Sequence, residues 1–166
     1  MRNLVMTVIG PDRPGLVEEL SATVAGHNGN WLESRMSHLS GHFAGLLRVE
    51  CPESSCEALL ATLQGLENLT VSVSPELAEK TNRPRIIAFD VVGNDRPGIV
   101  QELSSAIVRA GGNVEELVSN LESAPHAGHA VFRASGSVAV EAEFDESGLV
   151  TALEALGPDL AVSLDT

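Results

Sequence analysis

The chain has 166 residues, 43% of them hydrophobic, which is enough to build a core and too apolar for a disordered chain. Its formal net charge of -13, with Lys80 as the only lysine, disfavours direct nucleic-acid binding, which draws much of its affinity from basic groups at phosphates. No apolar run approaches the roughly 20 residues of a membrane span, and no small-residue cleavage site follows the short apolar N-terminal run, so the chain reads as cytoplasmic.

The first element is an alternating segment with Leu4, Met6 and Val8 on one side, the period of a strand. It ends in the turn GPDRPGLV, Gly10 to Val17, and a helix follows with Leu16, Leu20 and Val24 on one stripe. Pro14 suits a first helical position. Gly29 is expected to end the helix in the left-handed conformation. The segment from Asn30 reads as two strands joined at Ser40-Gly41. Ser54 and Glu57 form a capping box ahead of a helix carrying Leu59, Leu63 and Leu66, and LTVSV closes the unit as a strand. The polar stretch 75–84, containing two prolines at its ends, is a linker between residues 1–74 and 85–166.

The second half repeats the first. Gly10, Asp12, Arg13, Pro14, Gly15, Val17, Glu19, Leu20, Ser21, Gly29 and Asn30 all recur at a constant offset of 83 positions, as Gly93 through Asn113. Ile87, Phe89 and Val91 form the strand, and Ile99, Leu103 and Ile107 the helix stripe, with Gly112 at its end. A hairpin turning near Pro125 and Gly128 follows. Asp145 caps a helix with Leu149, Leu153 and Leu156, stopped by Gly157-Pro158, before the strand LAVSL. The offset at these last strands is 91 (Val162 against Val71), so about eight residues are extra, expected around ASGSVAVEAE. Each half is thus β-α-β-β-α-β. The fold class is α+β: two ferredoxin-like units in tandem, each an antiparallel sheet with both helices on one face. Apolar residues on both strand faces call for a cover, supplied by the other copy or by a second chain in a homodimer.

The duplicated turn carries the chemistry. A helix N-terminus with a glycine beside it offers backbone N–H groups and a positive dipole end to a carboxylate. Asp12 and Asp95 stand just before it, where a carboxylate can pair with an ammonium group. Asn30 and Asn113, opening the next strand, offer an amide. Together these complement an α-amino acid zwitterion. The competing reading is structural: Asp12 and Asp95 as helix caps worth about 1 kcal/mol.

A strand, a turn of the form D-R-P-G-[LI]-V, a helix and then G-N-W or G-N-V resembles the ACT domain, a regulatory module of amino-acid metabolism. The pair, with NWLESRMSHLSGHFAGLLRVECP and EELVSNLESAPHAG as supporting stretches, is similar to the tandem-ACT glycine cleavage system transcriptional repressor family. The resemblance implies no catalysis and no cofactor other than an amino-acid effector, glycine among the candidates, bound at a domain interface. It implies an effect on transcription through a partner regulator protein rather than through DNA contact. Carried over by position, the ligand-facing residues are Asp12, Gly15, Leu16 and Asn30, with Asp95, Gly98, Ile99 and Asn113.

Other constellations lead elsewhere. His38, His42, Cys51 and Cys56 lie close in sequence but lack zinc-site pairings, so the cysteines read as buried thiols, compatible with a reducing compartment, and no metal site is expected. His126 and His129 read as exposed loop residues. An acylphosphatase-like enzyme on the same topology would use Arg13 or Arg96 at a phosphate, yet an aspartate adjoins each arginine, and either can bridge to a helix glutamate instead. A pure interaction module is the remaining alternative. Trp31 reads as core.

Overall fold

The computed structural model describes residues 1–77, 84–123 and 130–165, which fall into two compact units, Met1–Glu79 and Lys80–Thr166. Most of the linker expected over 75–84 lies outside the described residues, as do Pro125, His126, Gly128 and His129. Unit 1 runs β1 (Arg2–Pro11), α1 (Leu16–Gly26), β2 (Asn30–Leu39), β3 (His42–Cys51), α2 (Glu53–Gln64) and β4 (Thr70–Pro75). Unit 2 repeats this as β5 (Arg85–Asn94), α3 (Ile99–Arg109), β6 (Asn113–Ser123), β7 (Ala130–Val140), α4 (Glu146–Glu154) and β8 (Ala161–Asp165). The sheets are antiparallel, ordered β2-β3-β1-β4 and β6-β7-β5-β8, the ferredoxin-like arrangement.

Each unit has its own core. In unit 1, Leu4, Met6 and Val8 of β1 pack with Leu16, Leu20 and Val24 of α1 and Leu59 and Leu63 of α2, with Trp31 half-buried against the same cluster. In unit 2, Ile87, Phe89 and Val91 meet Ile99, Leu103 and Ile107 of α3 and Leu149 and Leu153 of α4. On the opposite sheet face, Ile9 and Leu46 of unit 1 and Ile86 and Val118 of unit 2 are about half exposed or more. The β2–β3 hairpin turns at Ser40 and Gly41, whose φ angles of 49° and 79° are those of a two-residue hairpin loop.

Several local expectations need correction. Pro14 is not the first helical residue: Gly15 is the N-cap, with φ of 87°, and the helix starts only after that left-handed turn. Gly29 and Gly112 do not take positive φ; Asn28 and Gly111 do, one position earlier. The two glycines serve close packing instead, since a Cβ would stand 2.9 Å from Val24 at Gly29 and 2.5 Å from Val138 at Gly112. Ser54 does not cap α2, because β3 runs to Cys51 and helix begins at Glu53, leaving Ser54 already inside the first turn with Pro52 at the N-cap. Register also relocates most of the insertion. Phe43 opposes His38, and its counterpart Phe132 opposes Leu121, so the hairpin gap grows from 5 to 11 positions and takes six of the extra residues, while Ala134–Val140 is part of β7. Cys51 and Cys56 are not thiols but a buried disulfide joining the end of β3 to the first turn of α2, which removes free thiols as an argument for a reducing compartment.

Unit 1 continues past residue 74. Glu76 accepts hydrogen bonds from Arg48 (2.8 Å) and Asn3 (2.7 Å), pinning the end of β4 across β1 and β3. The Arg48 guanidinium first, and the Asn3 amide second, hold the Glu76 carboxyl below the usual glutamate range. In unit 2, Asp145 caps α4 as its position suggests, accepting from the Gly148 N–H at 2.9 Å. Asp145→Ala is expected to cost about 1 kcal/mol in urea unfolding. A change within error of zero would show that the cap bond contributes nothing.

Candidate functional site

The duplicated bends have one geometry. Gly15 (φ 87°, ψ 3°) and Gly98 (φ 88°, ψ -1°) are the N-caps of α1 and α3, and each carbonyl accepts the first intrahelical bond, from Glu19 at 2.9 Å and Glu102 at 3.0 Å. A side chain there would meet no neighbour within 4 Å, so backbone angle rather than crowding selects glycine. Neither N-cap is closed by a side-chain hydrogen bond. The aspartates therefore do not cap the helices. Both bends are anchored to the adjoining hairpin strand, Asp12 N–H donating to the Gly41 carbonyl (2.9 Å) and Asp95 N–H to the Ala130 carbonyl (3.1 Å).

The arginine of each bend is spoken for. Arg13 pairs with Glu19, and Arg96 pairs with Glu102 at 2.5 Å while donating to the Leu156 carbonyl at 2.9 Å. Guanidinium groups bonded to their own helices are poorly placed to cradle a phosphate. The first turn of α1 carries Glu18 and Glu19, whereas that of α3 carries only Glu102, with Gln101 matching Glu18. Asp12 and Asp95 are both exposed. His38 stands 3.6 Å from the Asp12 carboxylate, and its counterpart opposite Phe132 is Leu121. The two bends thus differ in the charges around them.

The remaining candidates separate. Leu16 and Ile99 are 3% and 4% exposed, core side chains that leave only their backbone near the bend. The Ile99 N–H donates to the Arg96 carbonyl at 3.3 Å. Asn30 does not adjoin Asp12 within its unit. Strand β2 lies beside β3, not β1, and Asn30 opposes Glu50, which opposes Asn3. Nine positions along β1 from Asn3 to Asp12 are about 30 Å at a strand's rise. Asn113 is placed likewise, level with Ile86 through Ala139, at the far end of β5 from Asp95.

Sequence reasoning passed over one feature. Unit 2 holds a small slot between α3 and the sheet, lined by Phe89, Val100, Leu103, Val114, Leu117 and Phe132, with a volume of about 20 Å³. Ser104 also lines it, but its hydroxyl bonds back to the Gln101 carbonyl at 3.0 Å, so the wall is apolar. In unit 1 the matching register positions hold Trp31 for Val114, Met36 for Ser119 and Leu47 for Gly136, and Trp31 and Met36 pack against the core. The signal available in sequence was Trp31 for Val114; the pairs Ser34–Leu47 and Leu117–Gly136 only trade which strand carries the leucine. Among the described residues no group of three or more His, Cys, Asp or Glu could hold a metal, and no helix is long and apolar enough to cross a membrane.

Residues 2–74 match the ACT domain family. No curated protein matches the chain. Among solved structures, a protein of unknown function from Galdieria sulphuraria is 26% identical with a TM-score of 0.86, covering 99% of this chain and 97% of that one. A candidate glycine cleavage system transcriptional repressor is 19% identical with a TM-score of 0.68, covering 99% and 96%. The chain is thus two ferredoxin-like βαββαβ units, of which the first matches the ACT domain and the second repeats its topology.

Proposed function

We propose that the protein is a non-enzymatic regulator that binds a small α-amino acid at its duplicated bends and reports occupancy to a partner protein. One observation carries the reading: twice in the chain, a helix N-terminus without a side-chain cap sits beside an exposed aspartate, a donor set for a carboxylate next to an acceptor for an ammonium. Asp12, Gly15, Asp95 and Gly98 supply it, with the Leu16 backbone beside them; the Ile99 N–H is already bonded to the Arg96 carbonyl. The pairing of both arginines with helix glutamates speaks against an acyl-phosphate site. The acidic charge directs any effect on transcription through a partner regulator rather than through DNA. The structure described as a candidate glycine cleavage system transcriptional repressor makes transcription the process to examine and glycine one effector to test. Binding acts by linkage: an effector that prefers one arrangement shifts the population towards it.

Calorimetry with a panel of amino acids tests this. At least one is expected to bind, and Asp12→Ala or Asp95→Ala should weaken it about tenfold or more, the scale of a charge-assisted bond. Circular dichroism should stay unchanged, since neither aspartate caps a helix. A second reading, an interaction module without ligand, draws on the Asp12–His38 contact, which gives one carboxylate a neighbour of its own. Silence across the whole panel would favour it.

A further inference from the structure

We infer that the sheet face of unit 2 turned away from its helices docks a partner protein that presents one basic side chain, arginine or lysine, from the middle of an apolar surface. This rests on the regulatory reading only in taking a partner to exist. Ile87, Phe89 and Val91 of β5 point into the core, so Ile86, Ala88, Asp90 and Val92 lie on the other face. Register sets Ser163 of β8 and Ser135 of β7 on either side of Asp90, with Val118 of β6 beyond Ser135. The Asp90 carboxylate thus stands on an inner strand of the sheet, half-buried, and among the described residues it has no hydrogen-bond or ion-pair partner. Arg133, the one cation of this face among the described residues, is drawn to Glu122 instead at 3.8 Å. Glu116 and Asp165 add further negative charge.

The face also asks for a cover, since Ile86 and Val118 are each more than half exposed. A purely apolar cover would strand Asp90, because burying an unpaired carboxylate is strongly unfavourable. A second copy of the same face would bring acid against acid. The matching face of unit 1 has its arginines committed, Arg48 to Glu76 at 2.8 Å and Arg35 to Glu33 at 3.6 Å, and Thr7 stands where unit 2 has Asp90. The chain as a whole carries a formal net charge of -13. What completes the face is a basic group from another protein.

Random-peptide display selected on the full chain tests this. The enriched peptides are expected to share an arginine or lysine flanked by apolar residues. Made synthetically and followed by fluorescence anisotropy, they should bind Asp90→Asn about tenfold more weakly, the scale of a lost charge-assisted bond. Glu67→Gln makes the same charge change on an exposed residue of unit 1 and should alter affinity by less than about twofold. Asp90→Arg should reverse the preference, favouring the peptide whose basic residue is replaced by glutamate. Should that variant fail to fold by circular dichroism, Asp90→Asn decides. Enriched peptides without a basic residue, no enrichment at all, or equal losses with Asp90→Asn and Glu67→Gln overturn the docking site. So does a sedimenting dimer that Val118→Asp dissociates, which would seat a second copy on the face. None of these outcomes bears on amino-acid binding at the bends, which calorimetry reads separately.

Discussion

Gly136→Ala is expected to destabilise unit 2 by about 3 kcal/mol, the upper end for overpacking a single site. Gly136 lies on β7 opposite Leu117 of β6, next to the register shift between Val114 and Glu116. A Cβ built there falls 1.9 Å from the Glu116 carbonyl oxygen and 3.1 Å from the Phe89 ring. A flexible side chain could swing aside; a strand carbonyl cannot. Relief requires β6 to move off β7, which breaks ladder hydrogen bonds and lifts Leu117 from the slot. Thermal unfolding followed by circular dichroism should show the loss, on the order of 15 °C for a unit of this size. A variant within about 1 kcal/mol of the parent would mean that the two strands are not held this close.

Converting both cysteines to serine is expected to cost about 2 kcal/mol. Cys51 and Cys56 close a loop five positions long, for which the chain-entropy relation gives that value. Both sulfurs are buried against Leu59 and its neighbours, so the serines also bring hydroxyl groups into an apolar site. The sole tryptophan, Trp31, packs on the same cluster and reports the unfolding of unit 1 through its fluorescence. Reductant applied to the native protein should act slowly, since neither cysteine is more than 1% exposed. Equal midpoints for the serine variant and the parent would show that the cross-link adds no stability.

The element order, helix stripes and doubling of the unit were legible because each rests on a repeated pattern. Leu16, Leu20 and Val24, with Ile99, Leu103 and Ile107, declare the same helix twice, and the structure buries every one. Helix starts were less legible because one residue's backbone angle decides them. The phrase Pro-Gly before Leu16 admits either residue as the boundary, and only the positive φ of Gly15 chooses. The site was half legible. Asp12 and Gly15 are neighbours in the chain and remain so in space. Asn30 follows its helix closely in sequence, but β3 intervenes between β2 and β1, and register carries the amide to the opposite end. The slot was recorded all along in the exchange of Trp31 for Val114, a difference between repeats rather than a likeness.

The placement of Asn30 and Asn113 has a consequence for any effector held at an aspartate bend. A molecule with the span of an amino acid cannot bridge about 30 Å, so within one unit it reaches the bend or the strand-opening amide, never both. The amide end of each sheet is a separate address from its bend.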